Sequence, residues 1–494
     1  MWVYLLFIIF FVYQVQSRDV DYCFGDENDP YLYMATRTAY HFVHAGKTRF
    51  QDVPNCHAMQ AWVLATHGTR CPSEEEITEM LTLTELQSQI INNHETRDGH
   101  MCDRDLENLK RWKPDEYLVK ERAEVLTPQG VEDMKLFARR LQSNFPQLLQ
   151  TGDEISPEKY VFKTTDARDS MSSFMQGLFG DRNAVDAEEV PMNDTLLTAY
   201  KGCNVWGNEY NNVSLEEVNR FDEQHEFQNL LNNVSRRLGF LYDISKESIL
   251  TMYDMCRYEK AWTVTKLSPW CAVFSKEELR VLEYREDLYY YYKAGYGREI
   301  NAQLGCTLLQ DMMNHFWKVE QDKDSIEPKG IFYFSDIISL QNLLTTLNIN
   351  KDQVHPTAFN YKDMGKRQWR TSFISPFAAN LVAVFYNNSQ PNKIMFYLAE
   401  KLVMLDGCDV GLCDWEYFKQ KFIPVINHCN LNVCWNGSDT YIYLILLFLL
   451  FIVILICSYF TDMYSSKLYT IYVVPLLFLS FFSKIMSVRF MTFA

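Results

Sequence analysis

Three times in this chain an uninterrupted apolar run ends on polar, chemistry-bearing residues and is followed at once by a helical pattern. Gln60-Ala61-Trp62-Val63-Leu64-Ala65 breaks at Thr66-His67-Gly68-Thr69-Arg70-Cys71-Pro72, and Ser73 followed by Glu74, Glu75 and Glu76 reads as a helix start. Tyr160 to Thr164 ends at Thr165-Asp166-Ala167-Arg168-Asp169, with helical spacing from Ser170 onward. Gly330 to Asp336 is a third buried strand, followed by a helix through Leu347. Leu126-Thr127-Pro128-Gln129-Gly130 opens another helix, whose Val131, Met134, Phe137 and Leu141 form a core face. Phe377–Phe385 and Ile394–Leu398 read as a late strand pair. Strands alternating with helices mean an α/β fold, with a mostly parallel sheet flanked by helices. Residues 180–325 lack strand alternation and read as an inserted helical region, in which Tyr289-Tyr290-Tyr291-Tyr292 is taken as packing.

The two ends set the compartment. Met1–Ser17 reads as a signal peptide: Val3–Val12 is apolar but too short to span a bilayer. Thr440–Thr461 carries no charged residue and, at about 1.5 Å rise per residue, is long enough to cross the hydrocarbon core. Residues 462–494 form a short tail with a net positive charge and a second apolar stretch, Leu468–Ser483, which the sequence leaves open as a second span or an interfacial piece. A glycolipid anchor is the other option for this end. The ectodomain is then 18–438. Sequons at Asn193, Asn212, Asn233, Asn387 and Asn436 agree with lumenal exposure. Of 13 cysteines only Cys457 falls in the span. Cys256 with Cys271, Cys408 with Cys413, and Cys429 with Cys434 are candidate local disulfides. The expected location is the secretory pathway: the cell surface or the lumenal face of an endomembrane such as the ER or lysosome. A net charge of −16 without a basic block argues against a nucleic-acid partner.

His67, Arg70, Arg168 and Asp336 all fall just past a strand. In a parallel sheet those ends share one edge. Together they suit phosphoryl transfer. A neutral imidazole attacks phosphorus, two guanidiniums grip the oxygens, and a carboxylic acid protonates the leaving alkoxide. No cofactor or metal is expected: no His-x-x-x-His or Cys-x-x-Cys spacing occurs. Each residue also has a plainer role. Arg168, between Asp166 and Asp169, suits a surface ion pair, and Asp336 suits the N-cap of the next helix.

The stretch Thr66-His67-Gly68-Thr69-Arg70-Cys71-Pro72 resembles the Arg-His-Gly-x-Arg-x-Pro signature of the histidine acid phosphatases, and within them the multiple inositol polyphosphate phosphatases. Ala35-Thr36-Arg37-Thr38, Leu126–Gly130, Arg168 ahead of Phe174–Leu178, Gly305–Leu309 and Phe359–Leu381 extend the likeness over about residues 30 to 430. The resemblance implies the histidine phosphatase fold with a helical cap over about 180–325. It implies His67 as nucleophile, Asp336 as proton donor, and Arg70, Arg168 and position 66 as phosphate-binding, with Arg37 and Phe334 in the substrate pocket. Inositol polyphosphates, phytate included, or other phosphomonoesters are the implied substrates. The chain departs from the pattern at Thr66, where the family has Arg, and at Phe334-Ser335-Asp336, where it has His-Ala-Glu. Loss of one preorganised donor typically costs about 10²–10³ in rate.

Two functions follow. One is a membrane-anchored extracytoplasmic phosphomonoesterase working through a phosphohistidine, slowed by the lost groups. The alternative is a catalytically inactive pseudophosphatase, a surface glycoprotein that binds polyanions or protein; Thr66 and Phe334 favour it. The oligomeric state is not legible in the sequence.

Overall fold

A computed structural model describes residues 23–24, 30–44, 56–96, 98–149, 155–180, 185–322, 326–388, 391–434, 449–450 and 452–454. The expected signal peptide (1–17), Asn436 and the tail beyond 461 lie outside these, as does nearly all of the expected span 440–461. The chain divides into two units, residues 1–431 and 432–494, and the sheet and its helices all belong to the first. Among the described residues no helix is long and apolar enough to cross a membrane.

The apolar runs are strands. In chain order they are β1 (Cys56–Thr66), β2 (Tyr160–Thr164), β3 (Glu188–Glu189), β4 (Gly330–Ser335), β5 (Asn380–Asn388), β6 (Lys393–Leu398), β7 (Lys401–Leu402) and β8 (Leu412–Asp414). They join one sheet in the order β3-β2-β4-β1-β5-β6-β7, with β8 paired to β6. β1, β2, β3 and β4 run parallel. From β5 onward every pairing is antiparallel. The sheet is therefore mixed, not mostly parallel. Only a four-residue connection separates β5 from β6, which forces a hairpin, whereas the parallel strands are joined by long helical crossovers.

Helices cover both faces, so the central strands are continuous apolar runs without alternation. One face buries Trp62, Leu64, Ile331, Tyr333 and Phe385 against helices Cys306–Gln321, Ile337–Thr346 and Trp415–Asn427. The other buries Val63, Phe162, Phe332, Phe334 and Val382 against helices Pro128–Asn144 and Arg168–Phe179. A third core lies among helices Glu74–Leu81, His225–Arg237, Lys246–Trp262 and Lys276–Lys293. The 180–325 segment is mainly helical, but Glu188–Glu189 pairs with Lys163–Thr164 as an edge strand that sequence reading did not anticipate.

Disulfides Cys23–Cys102, Cys256–Cys271, Cys306–Cys429 and Cys408–Cys413 tie the first unit together. Two of the expected pairs, Cys256 with Cys271 and Cys408 with Cys413, are present. The expected pairing of Cys434 with Cys429 is contradicted and is corrected here. Cys429 follows helix Trp415–Asn427, which packs against helix Cys306–Gln321, and this brings it to Cys306. Cys434 is disulfide-bonded as well, so its partner is a cysteine other than Cys429. Nearness in sequence misled because a helix end had already committed Cys429 to a distant partner. Of the expected glycan acceptors, Asn193 and Asn233 are exposed and Asn387 is half-buried. Asn212 falls in helix Asn204–Asp222.

Candidate active site

The parallel half of the sheet decides what meets what. Thr66 pairs with Ser335 and Thr164 with Phe334, so the chain leaves β1, β2 and β4 at one edge. His67, Asp166 and Asp336 follow directly. The loop after β1 is pinned by close backbone packing. A Cβ on Gly68 would sit 2.9 Å from the Gly130 carbonyl oxygen, and one on Gly130 would sit 2.2 Å from that of Thr69. Thr127 N-caps helix Pro128–Asn144, and its hydroxyl also donates to the Thr69 carbonyl at 2.8 Å.

These ends open into a cavity of about 170 Å³ lined by Arg37, His67, Arg70, Asp166 and Asp336, by Thr36, Ile337, Ile338 and Pro376, and by the rings of Tyr200, Tyr258, Tyr290 and Phe377. His67 Nδ1 lies 3.1 Å from the Gly68 carbonyl oxygen. A carbonyl only accepts, so Nδ1 carries the proton and Nε2 keeps a lone pair. Burial, aided by the charges of Arg70 and Arg37, pushes the imidazole down to about 3, so the ring is neutral at any physiological pH. The Gly68 amide donates to the Ser170 hydroxyl at 3.0 Å and the His67 carbonyl accepts from Ala378 at 2.9 Å, which fixes the backbone on both sides of the ring.

The cations are held by carboxylates. Arg37 donates to Glu76 at 2.9 Å, to the Thr36 hydroxyl at 2.9 Å and to the Tyr258 hydroxyl at 3.3 Å. Glu76 is itself fixed by the capping box it forms with Ser73. Arg70 lies 3.3 Å from Glu124. Asp336 uses one oxygen to cap helix Ile337–Thr346, accepting from Ile338 and Ser339 at 3.1 and 3.0 Å. The other oxygen accepts the Tyr200 hydroxyl proton. Burial raises this carboxyl above the usual carboxylate range, although the Tyr200 and Ser339 hydrogen bonds oppose the shift. Lys201 lies 3.6 Å from both Asp336 and Asp166.

Three expected site residues are not among those lining the cavity. Arg168 is 71% exposed and ion-paired with Glu189, on a separate surface hollow of about 920 Å³. β3 extends the sheet beside β2 and presents that carboxylate to the first turn of the arginine's helix. Thr66 is wholly buried at the end of β1, with its hydroxyl unpartnered. Phe334 is buried in the core, its ring 5.5 Å from that of Phe174. An apolar ring gains more from core packing than from a polar cavity. Conversely, the sequence did not mark Tyr200, Tyr258 or Phe377 as site residues. Tyr290 was taken as packing, and Asp166 was noticed only as a neighbour of Arg168. For the tyrosines no local pattern existed, because their role depends on helices that return to the sheet edge from far along the chain.

Comparison with known proteins agrees with this fold. The family model "Histidine phosphatase superfamily (branch 2)" matches residues 59–398. The multiple inositol polyphosphate phosphatase 1 of Drosophila melanogaster is 34% identical over 448 residues, covering 88% of this chain and 94% of that protein. The Homo sapiens protein of that name is 29% identical, covering 81% and 88%. Among solved structures, a phytase from D. castellii superposes with a TM-score of 0.67 at 16% identity, covering 83% of this chain and 88% of that one. A Bifidobacterium longum multiple inositol polyphosphate phosphatase in complex with phosphate gives 0.56 at 13% identity, covering 76% and 94%. At those identities the two structures speak for the fold.

Proposed function

The chain belongs to branch 2 of the histidine phosphatase superfamily, a family of phosphomonoester hydrolases, and from that premise we propose that it cleaves phosphomonoesters through a phosphohistidine on His67. The observation that carries the reading is the His67–Gly68 contact: a neutral imidazole with its Nδ1 proton tied to a backbone carbonyl has only Nε2 left to offer a phosphorus atom.

The steps then follow. Nε2 attacks phosphorus, the P–N bond forms and the ester P–O bond breaks. Arg37 and Arg70 take the charge on the non-bridging oxygens. Asp336, whose carboxyl holds its proton to a higher pH than an exposed one, delivers that proton to the leaving alkoxide. The resulting carboxylate takes a proton from water as water attacks phosphorus, which breaks the P–N bond and restores His67. Tyr200 keeps the Asp336 carboxyl in place in both half-reactions.

Inositol phosphates are the substrate class we infer from the names of the relatives. Extracytoplasmic placement is supported by the disulfides, which persist in oxidising compartments. Anchoring through 440–461, with 18–438 outside and a helical cap over about 180–325, completes the proposal.

A second reading is favoured by one observation: with Arg168 engaged by Glu189, only one of the two arginines expected to clamp phosphate, Arg70, lines the cavity, joined there by Arg37. That reading is a pseudophosphatase that binds without turnover. The test is phosphate release by the full-length glycosylated chain from inositol phosphates, with His67→Ala alongside. Release that depends on His67 supports hydrolysis; binding without release supports the second reading.

A further inference from the structure

We propose that Glu286, on helix Lys276–Lys293, is a positioning residue for phosphate binding: it orients the Thr36 hydroxyl, and that hydroxyl holds the Arg37 guanidinium in the His67 cavity. The proposal rests on the reading of Arg37 as a phosphate ligand and names the residue, not itself in the cavity lining, that sets its aim.

The hydroxyl is the first ground. Thr36 Oγ1 donates to Glu286 Oε1 and accepts from Arg37 Nη1 at 2.9 Å. A hydroxyl has one proton, so once a carboxylate has taken it only lone pairs face the guanidinium. Glu286 stays the acceptor: burial pulls its carboxyl up, but the charges of Arg257 and Arg37 outweigh this and hold it below the usual carboxylate range. Arg257, ion-paired with both Glu286 and Asp254, anchors the carboxylate from helix Lys246–Trp262. Arg37 uses three of its five N–H groups on Thr36, Glu76 and Tyr258 among the described residues, which leaves two for an anion.

The backbone is the second. The Thr36 amide donates to the same Glu286 oxygen at 3.2 Å, so the carboxylate grips main chain and side chain together. The preceding residue, Ala35, has a φ of 48°, a left-handed conformation that an alanine holds only where its surroundings impose it. Its amide donates to the Ser372 hydroxyl at 2.9 Å, and that hydroxyl donates to Glu283 at 2.6 Å. Glu283 and Glu286 stand about one turn apart on helix Lys276–Lys293. One helix face therefore holds the strained turn Ala35–Arg37 from which the guanidinium projects.

The experiment measures inorganic phosphate binding by calorimetry on the full-length chain. Thr36→Val removes the hydroxyl at nearly constant volume and leaves the Glu286–Arg257 pair in place, whereas Glu286→Gln removes the charge. Each is expected to weaken binding about threefold to tenfold, and Thr36→Ser, which keeps the hydroxyl, to stay within about twofold of the native chain. In an Arg37→Ala background, itself weaker than native, Thr36→Val is expected to cost less than about 1.5-fold more, because its effect passes through the arginine. Native affinity in Thr36→Val, or the same loss with and without Arg37, overturns the proposal, and does so even where Glu286→Gln fails to fold. Arg37→Ala that binds phosphate as well as the native chain would instead remove Arg37 from the phosphate site, and the proposal with it. Neither outcome depends on turnover; failure of the phosphohistidine reading shows separately, as release indifferent to His67→Ala.

Discussion

Arg168 is ion-paired with Glu189 at the edge of the sheet where β2 meets β3, with 71% and 47% of the two side chains exposed. Exposed pairs of this kind contribute about 0–1 kcal/mol, so the guanidinium is held away from the His67 cavity only weakly. Asp166, two residues earlier, already lines that cavity. Glu189→Gln is therefore expected to free the arginine for an anion and to tighten inhibition by inorganic phosphate about twofold to fivefold. Arg168→Ala in the same background should reverse the gain. An inhibition constant that does not change would mean that the arginine has no part in anion binding.

The pH profile follows from two opposite shifts. His67 is depressed to about 3, so the nucleophile stays neutral and available well into the acid range. The Asp336 carboxyl is raised, so the proton it must donate persists to a higher pH than an ordinary aspartate allows. Measured kcat/KM should hold at about pH 4–5 and fall on the alkaline side as Asp336 ionises. Asp336→Asn should abolish that alkaline fall and lower the maximum. An acid limb near the ordinary histidine value of about 6.5 would show that His67 titrates as an exposed histidine does.

Stability carries its own pH signature through Asp133, on the buried face of helix Pro128–Asn144. One carboxylate oxygen accepts from Gln129 at 3.0 Å and the other is unpartnered. Burial pushes the group up to about 7. A folded pKa above the unfolded one means that the group favours the native state most below about pH 4, and that this contribution is lost as pH rises to about 7, at roughly 1.4 kcal/mol per unit of difference. Asp133→Asn cannot ionise, so it should match the native chain at about pH 4 and unfold at a higher temperature at about pH 8. Parallel melting curves at the two pH values would contradict the shift.

The disulfides are not equivalent. Cys306–Cys429 closes a loop with a sequence separation of 123, whereas Cys408–Cys413 closes one of 5. Constraint of the unfolded chain grows with loop length. Replacing both members of the first pair with Ser is expected to lower stability by about 2–5 kcal/mol, and replacing the second pair by less. Chemical unfolding of the two variants checks the order, and a reversed order would contradict it.

What the sequence disclosed was local and what it concealed was long-range. β1, β2 and β4 were legible because both of their faces are covered, so the apolar run is unbroken, and His67, Arg70 and Asp336 were legible because they stand where those runs stop. Asp336 as a helix cap was equally visible, and it serves that role. Arg37 was located by a family likeness alone. For Arg168 the sequence offered both a phosphate clamp and a surface ion pair, but not the partner: Glu189 lies on a two-residue strand too short to leave a periodic trace. Tyr200, Tyr258 and Tyr290 were invisible as a wall because aromatic residues in helices read as core until the helices are placed. Cys429 and Cys434 were wrongly paired for the same kind of reason: the bond of Cys429 to Cys306 depends on the packing of two helices distant in sequence.

The central claim is a covalent phosphate on His67, and rapid quenching tests it most directly. The full-length chain is mixed with an inositol phosphate radiolabelled at phosphorus, denatured in alkali within milliseconds, digested and mapped. Label is predicted on the peptide that carries His67, stable in alkali and lost in acid as a phosphoramidate is, and absent from His67→Ala. Phosphate release at the native rate with no label on that peptide, or equal label in the variant, would contradict a phosphohistidine.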